Sequence, residues 1–243
     1  MGAPVSFTTD NTGFIVSLRA EQRDPSFCMG SLIASRWVIT AAHCLNKGKI
    51  RWVVVTAINS SKERKAGEII EVERTIRHPK YRVVREKDQL MYNYDLLLVE
   101  LRMSSVRTPI KMVNFNGLDV PQSIKQAKKA TAFGLTLLNK AEVLRSVDHP
   151  LHYGKEKCNK LMQVKFTMPS DYVVCLGDKT TPKACLNDTA SGGNPVILLP
   201  NTRTQRLLGV GSAGVACGYR KNYAMYTEIS VNLQFIFQNV PIV

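Results

Sequence analysis

The chain has 243 residues, enough to bury a sizeable core as one large domain or two small subdomains. Apolar residues make up 44%, ordinary for a soluble globular protein, and no apolar run approaches the ~20 residues of a membrane-spanning helix. Lys and Arg number 33 against 19 Asp and Glu, and the resulting charge of +14 favours an acidic partner: a glycosaminoglycan, anionic lipid, nucleic acid or an acidic protein patch. In chain order, β-rich runs predict short strands at 14–18, 31–33, 37–40, 52–57, 68–77 and 96–101. Further runs follow at 130–133, 172–176, 195–199, 207–210 and 224–229. Short strands at regular spacing with turn signals between them predict an all-β sandwich or barrel. A short helix is predicted at 155–163. A C-terminal amphipathic helix is predicted at 231–239, apolar at Val231, Phe235 and Ile236. The segment near 125–129 is the expected crossing between two β subdomains. There is no internal repeat, low-complexity tract or long linker. Met1-Gly2 reads as a start codon and vector residue ahead of a mature chain, with no secretory signal in front.

The six cysteines, Cys28, Cys44, Cys158, Cys175, Cys185 and Cys217, are even in number and widely spaced. None forms a CxxC pair, so neither a zinc ribbon nor a redox motif is expected, and no metal or cofactor is implied. Structural disulfides, an oxidising compartment and a secreted protein are the expectation. Glycosylation sequons at Asn59 and Asn187 agree with secretion. The basic residues cluster. Lys62, Arg64 and Lys65 lie in a polar loop, and Arg74, Arg77, Lys80, Arg82, Arg85 and Lys87 follow, with Tyr81 among them. Lys125, Lys128 and Lys129 form another group, and Lys155, Lys157 and Lys160 stand at helical spacing. No RNA- or DNA-binding motif accompanies them, so a glycosaminoglycan, an anionic surface or another protein is the expected partner, rather than a nucleic acid.

Four segments carry chemistry. LIASRWVITAAHCL at 32–45 runs an apolar strand directly into His43 and Cys44. NYDLLLVEL at 93–101 sets Asp95 ahead of an apolar strand. ACLNDTASGGNP at 184–195 places Cys185, Asp188, Ser191, Gly192, Gly193 and Pro195 in order. GVGSAGVACGYRKNYAMYTEIS at 209–230 holds Ser212, Gly214, Cys217 and Tyr226. Together these segments closely resemble the chymotrypsin/trypsin family of serine peptidases, and the resemblance covers nearly the whole chain. It implies two six-stranded antiparallel β-barrels with the active site between them and a C-terminal helix. The expected layout is a single domain over 1–243, with barrels at approximately 14–120 and 130–230 and the helix at 231–239. It further implies His43 as base, Asp95 as its orienting acid, Ser191 as nucleophile, and the disulfides Cys28–Cys44, Cys158–Cys175 and Cys185–Cys217.

The resemblance also exposes departures. Thr189 and Ala190 are extra between Asp188 and Ser191, and Asn194 is extra before Pro195. Counting from Cys185 without a gap puts Thr189 in the nucleophile position instead. Asn187 replaces a glycine whose N–H donates to the oxyanion, a loss that typically lowers turnover ~100- to 1000-fold. The chain opens MGAPVSFTTDNTG and lacks the family's Ile-Val-Gly-Gly terminus, which would leave Asp188 without its partner. The specificity pocket carries Lys183 where trypsin-like members have Asp, Ala213 for a tryptophan and Ala224 for a glycine, beside Ser212 and Gly214. The expectation is a secreted, catalytically inactive homologue that binds polyanions or partner proteins through basic exosites. The alternative is an active endopeptidase with an altered nucleophile loop and a non-tryptic, acidic preference.

Overall fold

The computed structural model describes residues 12–55, 67–86, 89–113, 128–138, 141–162, 173–177, 192–198, 205–212 and 223–241. The first barrel comprises β1 (Ile15–Arg19), β2 (Cys28–Ala34), β3 (Trp37–Thr40), β4 (Trp52–Val55), β5 (Glu68–Arg77) and β8 (Leu97–Leu101). Its strands close in the order β1–β2–β3–β8–β5–β4. Val38, Ile39, Val53, Val55, Leu97 and Val99 are wholly buried, so these β-branched and aliphatic runs fill the barrel and its contacts with the rest of the chain.

The second barrel comprises β10 (Lys129–Leu138), β11 (Ala141–Tyr153), β12 (Val173–Gly177), β13 (Pro195–Leu198), β14 (Arg206–Ser212) and β15 (Tyr223–Glu228). The order β13–β10–β11–β12–β15–β14 closes through a β13–β14 pairing, and the short β9 (Lys111–Met112) adds in parallel to β14. The molecule is therefore two six-stranded antiparallel barrels, as the sequence implies. An ion pair from Arg19 Nη2 to Glu142 Oε2 (2.6 Å) and a Ser26 N–H···Oε1 bond (2.6 Å) tie β1 and its following loop to β11.

Strands at 37–40 and 68–77 fall where their apolar patterns predict them, whereas β6 (Arg82–Glu86), β7 (Gln89–Asn93), β9 and β11 were not anticipated. β6 and β7 form a separate two-stranded sheet outside both barrels. One face of this hairpin, Val84 and Met91, packs on Cys158, Val173, Cys175, Tyr223 and Met225 of the second-barrel side. The predicted helix at 155–163 forms as Lys155–Met162. At the C-terminus a 3-10 turn over Ser230–Asn232 precedes the helix Leu233–Asn239. That turn shifts the helical phase, so Leu233, Phe235 and Ile236 are buried, while Val231, expected on the apolar face, is 39% exposed. Cys28–Cys44 and Cys158–Cys175 are disulfide-bonded, as the resemblance implies. Cys185 and Cys217 lie outside the described residues.

Candidate active site

His43 is set by the end of β3. Ala41 is extended (φ −84°, ψ 138°), and the chain then turns into a 3-10 helix over Ala42–Asn46. The Cys28–Cys44 disulfide fastens this turn to the start of β2, and the Thr40 hydroxyl donates to the Met29 carbonyl (2.6 Å). Asp95 lies two residues before the start of β8, whose Leu97 pairs with Thr40 of β3. The turn before it passes through Tyr94 at φ 49°, a left-handed conformation uncommon for a residue with a Cβ. Two adjacent strands thus deliver histidine and aspartate to one point.

The Asp95 carboxylate is wholly buried and accepts three hydrogen bonds. The His43 backbone N–H reaches Oδ1 (2.8 Å), and the His43 Nδ1 lies 2.7 Å from Oδ2. The Ser212 hydroxyl, from β14 of the second barrel, also donates to Oδ2 (2.6 Å). An ionised carboxylate only accepts, so Nδ1 carries the proton of the neutral imidazole and Nε2 is left as the basic nitrogen. Ser212, which the sequence reading assigned to the specificity pocket, here joins the two barrels through Asp95.

The Nε2 side is walled by backbone. Gly192 (φ 139°) lies so close that a Cβ there would stand 2.2 Å from Nε2. Its carbonyl accepts the Met29 N–H (3.0 Å). At Gly193 (φ 72°) a Cβ would fall 1.9 Å from the Met29 carbonyl oxygen, so neither glycine tolerates a side chain in this path. Gly193 N–H donates to Gly211 O (2.9 Å), and Gly211 N–H donates to Asn194 O (2.7 Å). Two residues thus face one, the arrangement of a β-bulge. Asn194, an unmatched insertion in the sequence, is buried within this bulge. Its Nδ2 donates to Phe133 O (3.0 Å), and its Oδ1 accepts the Gly192 N–H (3.3 Å).

Tyr92 covers the imidazole face, with centroids 4.9 Å apart and planes within 18°. Tyr81 stacks behind Tyr92 at 6.2 Å and 12°, and the Arg77 guanidinium sits over Tyr81 at 5.6 Å. Burial, and then the negative charge of Asp95, raise both phenols; Tyr81 is pushed up to about 12. His43 is only 1% exposed. Tyr92 was not found in the sequence; it lies three residues before Asp95, and only the hairpin's fold turns it towards the ring.

The structure brings together His43, Asp95 and Ser212. Ala224 sits on β15 opposite Leu176 and packs against the second-barrel core. Lys183, Asn187, Thr189, Ser191, Ala213 and Gly214 lie outside the described residues, as do Lys62, Arg64, Lys65 and Lys87. Of the expected basic surface, Arg74, Arg77, Lys80, Arg82 and Arg85 are exposed. Arg74 is ion-paired to Glu100 (2.6 Å).

A family model described as Trypsin matches residues 5–236. The chain is 33% identical over 213 residues to Trypsin 5G1 of Aedes aegypti, spanning 84% of this chain and 72% of that protein. It is 22% identical over 246 residues to the venom peptide isomerase heavy chain of Agelenopsis aperta, across 93% and 94% of the two. Against tissue-type plasminogen activator of Homo sapiens it is 26% identical over 224 residues, 88% of this chain but 39% of that protein.

Proposed function

The chain belongs to the trypsin family of serine peptidases, and we propose that within it this protein is a secreted member that no longer cleaves peptides. It binds polyanions, a glycosaminoglycan or an anionic surface, or a partner protein instead. The observation that carries the loss of catalysis is the enclosure of His43, 1% exposed beneath Tyr92 and against the Gly192 backbone. A general base must come within hydrogen-bonding reach of the proton it takes, beside a substrate carbonyl that also needs space. The departures at Asn187, Lys183, Ala213 and Ala224 add to this, since oxyanion stabilisation and substrate seating must both be in place. The disulfides support an oxidising compartment, and hence secretion. The positive surplus and exposed Arg77, Lys80, Arg82 and Arg85 support an acidic partner.

The second reading, an active endopeptidase, is favoured by the intact Asp95–His43–Ser212 hydrogen bonds. In that reading Ser191, or Thr189 by the count from Cys185 without a gap, is the nucleophile. A Lys183 at the pocket base would then select acidic side chains. A fluorophosphonate probe decides between the two. The expected result is an unmodified intact mass after prolonged exposure. An adduct on Ser191 or Thr189 that disappears in His43→Ala would establish the active enzyme instead.

A further inference from the structure

The β6–β7 hairpin leaves the first barrel after β5 and returns to it at β8. Among the described residues it makes no strand pairing with either barrel, so side-chain packing sets its position. A two-stranded ribbon alone is marginal in water, and one held by packing can open locally without unzipping a barrel. Its two faces pack on different barrels. Val84 pairs with Met91 and the neighbouring pair is Val83 with Tyr92, so Met91 and Tyr92 point to opposite faces.

On one face, buried Met91 and half-buried Val84 sit on Cys158, Val173, Cys175, Tyr223 and Met225 of the second-barrel side. That seat is braced: a disulfide joins Cys158 to Cys175, and Leu161 of the helix Lys155–Met162 packs beside them. On the other face, the Tyr92 ring lies between two first-barrel groups, His43 at 4.9 Å and Tyr81 at 6.2 Å, nearly parallel to both. The hairpin therefore crosses from one barrel to the other over the histidine. Both of its ends are rooted in the first barrel. The Tyr81 N–H donates to His78 O (3.0 Å) before it, and the Leu96 N–H donates to Tyr94 O (2.8 Å) after it. The seat of Val84 and Met91 is apolar, and a displacement of about an ångström forfeits much of such a contact.

We infer that the β6–β7 hairpin is an autoinhibitory strap: rooted in the first barrel and latched on the second by Val84 and Met91, it holds Tyr92 over His43, and release of the latch uncovers the histidine. The inference rests on the reading above, in which the enclosure of His43 carries the loss of cleavage. It adds where that enclosure is controlled: at an apolar seat on the other barrel, on the opposite face of the ribbon from the ring that does the covering.

The readout is the imidazole C–H signals of a histidine-labelled sample in solution NMR. The chain has four histidines, and His43→Gln identifies the signals of His43. The ring current of a tyrosine stacked 4.9 Å away shifts them upfield, and Tyr92→Ala gives their uncovered position. Met91→Asp puts a carboxylate against the apolar seat and should drive the hairpin off it, moving the His43 signals to the Tyr92→Ala position. Met91→Ala weakens the latch without a charge. Amide exchange over 82–86 and 90–93 should then quicken about tenfold, the change that about 1.4 kcal/mol of lost anchorage gives. Met91→Leu, which nearly conserves volume, should restore the native rate. His43 signals unmoved in a folded Met91→Asp overturn the inference, because Tyr92 then keeps its place without the latch. Should Met91→Asp not fold, unchanged exchange in Met91→Ala overturns it. Exchange that quickens equally over 173–177 and 223–228 also overturns it, since Met91 would then be a plug of the second-barrel core. A fluorophosphonate adduct on Met91→Asp that is absent from the native chain leaves the strap standing and overturns the loss of catalysis proposed above.

Discussion

His43 and His78 each lie flat against a tyrosine, with ring centroids 4.9 Å apart in both pairs. Each stack continues to a cation: Arg77 by way of Tyr81 in the first column, and Lys80 over Tyr94 in the second. Their far ends differ. His43 ends on the buried carboxylate of Asp95, whereas His78 ends edge-on against Phe235 of the C-terminal helix. Stacking on tyrosine is therefore a packing device that this chain uses twice. What sets His43 apart is the carboxylate and the Ser212 hydroxyl behind it. Those bonds join the two barrels, so they serve folding whether or not a peptide is ever cut. That is a physical reason for the Asp95 side of the site to persist while the sequence over 184–195 departs from the family pattern.

The largest effect comes from breaking the end that distinguishes the first column. Asp95→Ala leaves the His43 backbone N–H, the His43 Nδ1–H and the Ser212 hydroxyl without their acceptor in a dry site. The expected loss is on the order of 3–5 kcal/mol, measured by denaturant unfolding. A loss under ~1 kcal/mol would mean the carboxylate is kept for something other than the fold. Gly193→Ala tests the wall on the Nε2 side. Its methyl would meet the Met29 carbonyl at 1.9 Å from a left-handed backbone, so about 2–4 kcal/mol should be lost. Gly48→Ala is the matched reference: its methyl would meet only Phe27 ring carbons at 3.7 Å, and stability should change by less than about 1 kcal/mol. Equal effects at the two glycines would remove the distinction between a close-packed wall and an open turn.

Much of this frame is legible in the sequence, for reasons that differ by region. β3 and β5 are read correctly because their apolar patterns and flanking turns are local. WVITAAHC and the Asp95 strand show their roles because a short stretch of chain sets the geometry. β11 is missed because its thirteen residues mix charges and Pro150 into the apolar pattern. β6 is missed because Arg82 and Arg85 read as a solvated loop, yet Val84, packed against the second barrel, makes it a strand. Asn194 reads as an insertion because its partners, Phe133 and Gly192, come together only when β10 meets β13. Tyr92 is invisible for the same reason: which way its ring turns depends on the hairpin register with Val83.

The smallest of the expected losses tests the second column by pH. His78 is 6% exposed, its Nδ1 accepts the Lys80 N–H (3.1 Å), and no carboxylate faces it among the described residues. Burial, and then the charge of Lys80, bring its pKa down from 6.5 to about 4. Because the folded value lies below the unfolded one, the unfolded chain takes the proton first as pH falls. The stability this histidine contributes is whole above pH 6.5 and is lost as pH falls through about 4. One unit below the unfolded value, at about pH 5.5, the loss should be about 1.4 kcal/mol. His78→Gln cannot titrate, so its unfolding free energy should fall less steeply than the native chain's between pH 6.5 and 4.5. Parallel curves would show that His78 is not held neutral by its packing. The contrast between the two columns would then have to rest on Asp95 alone.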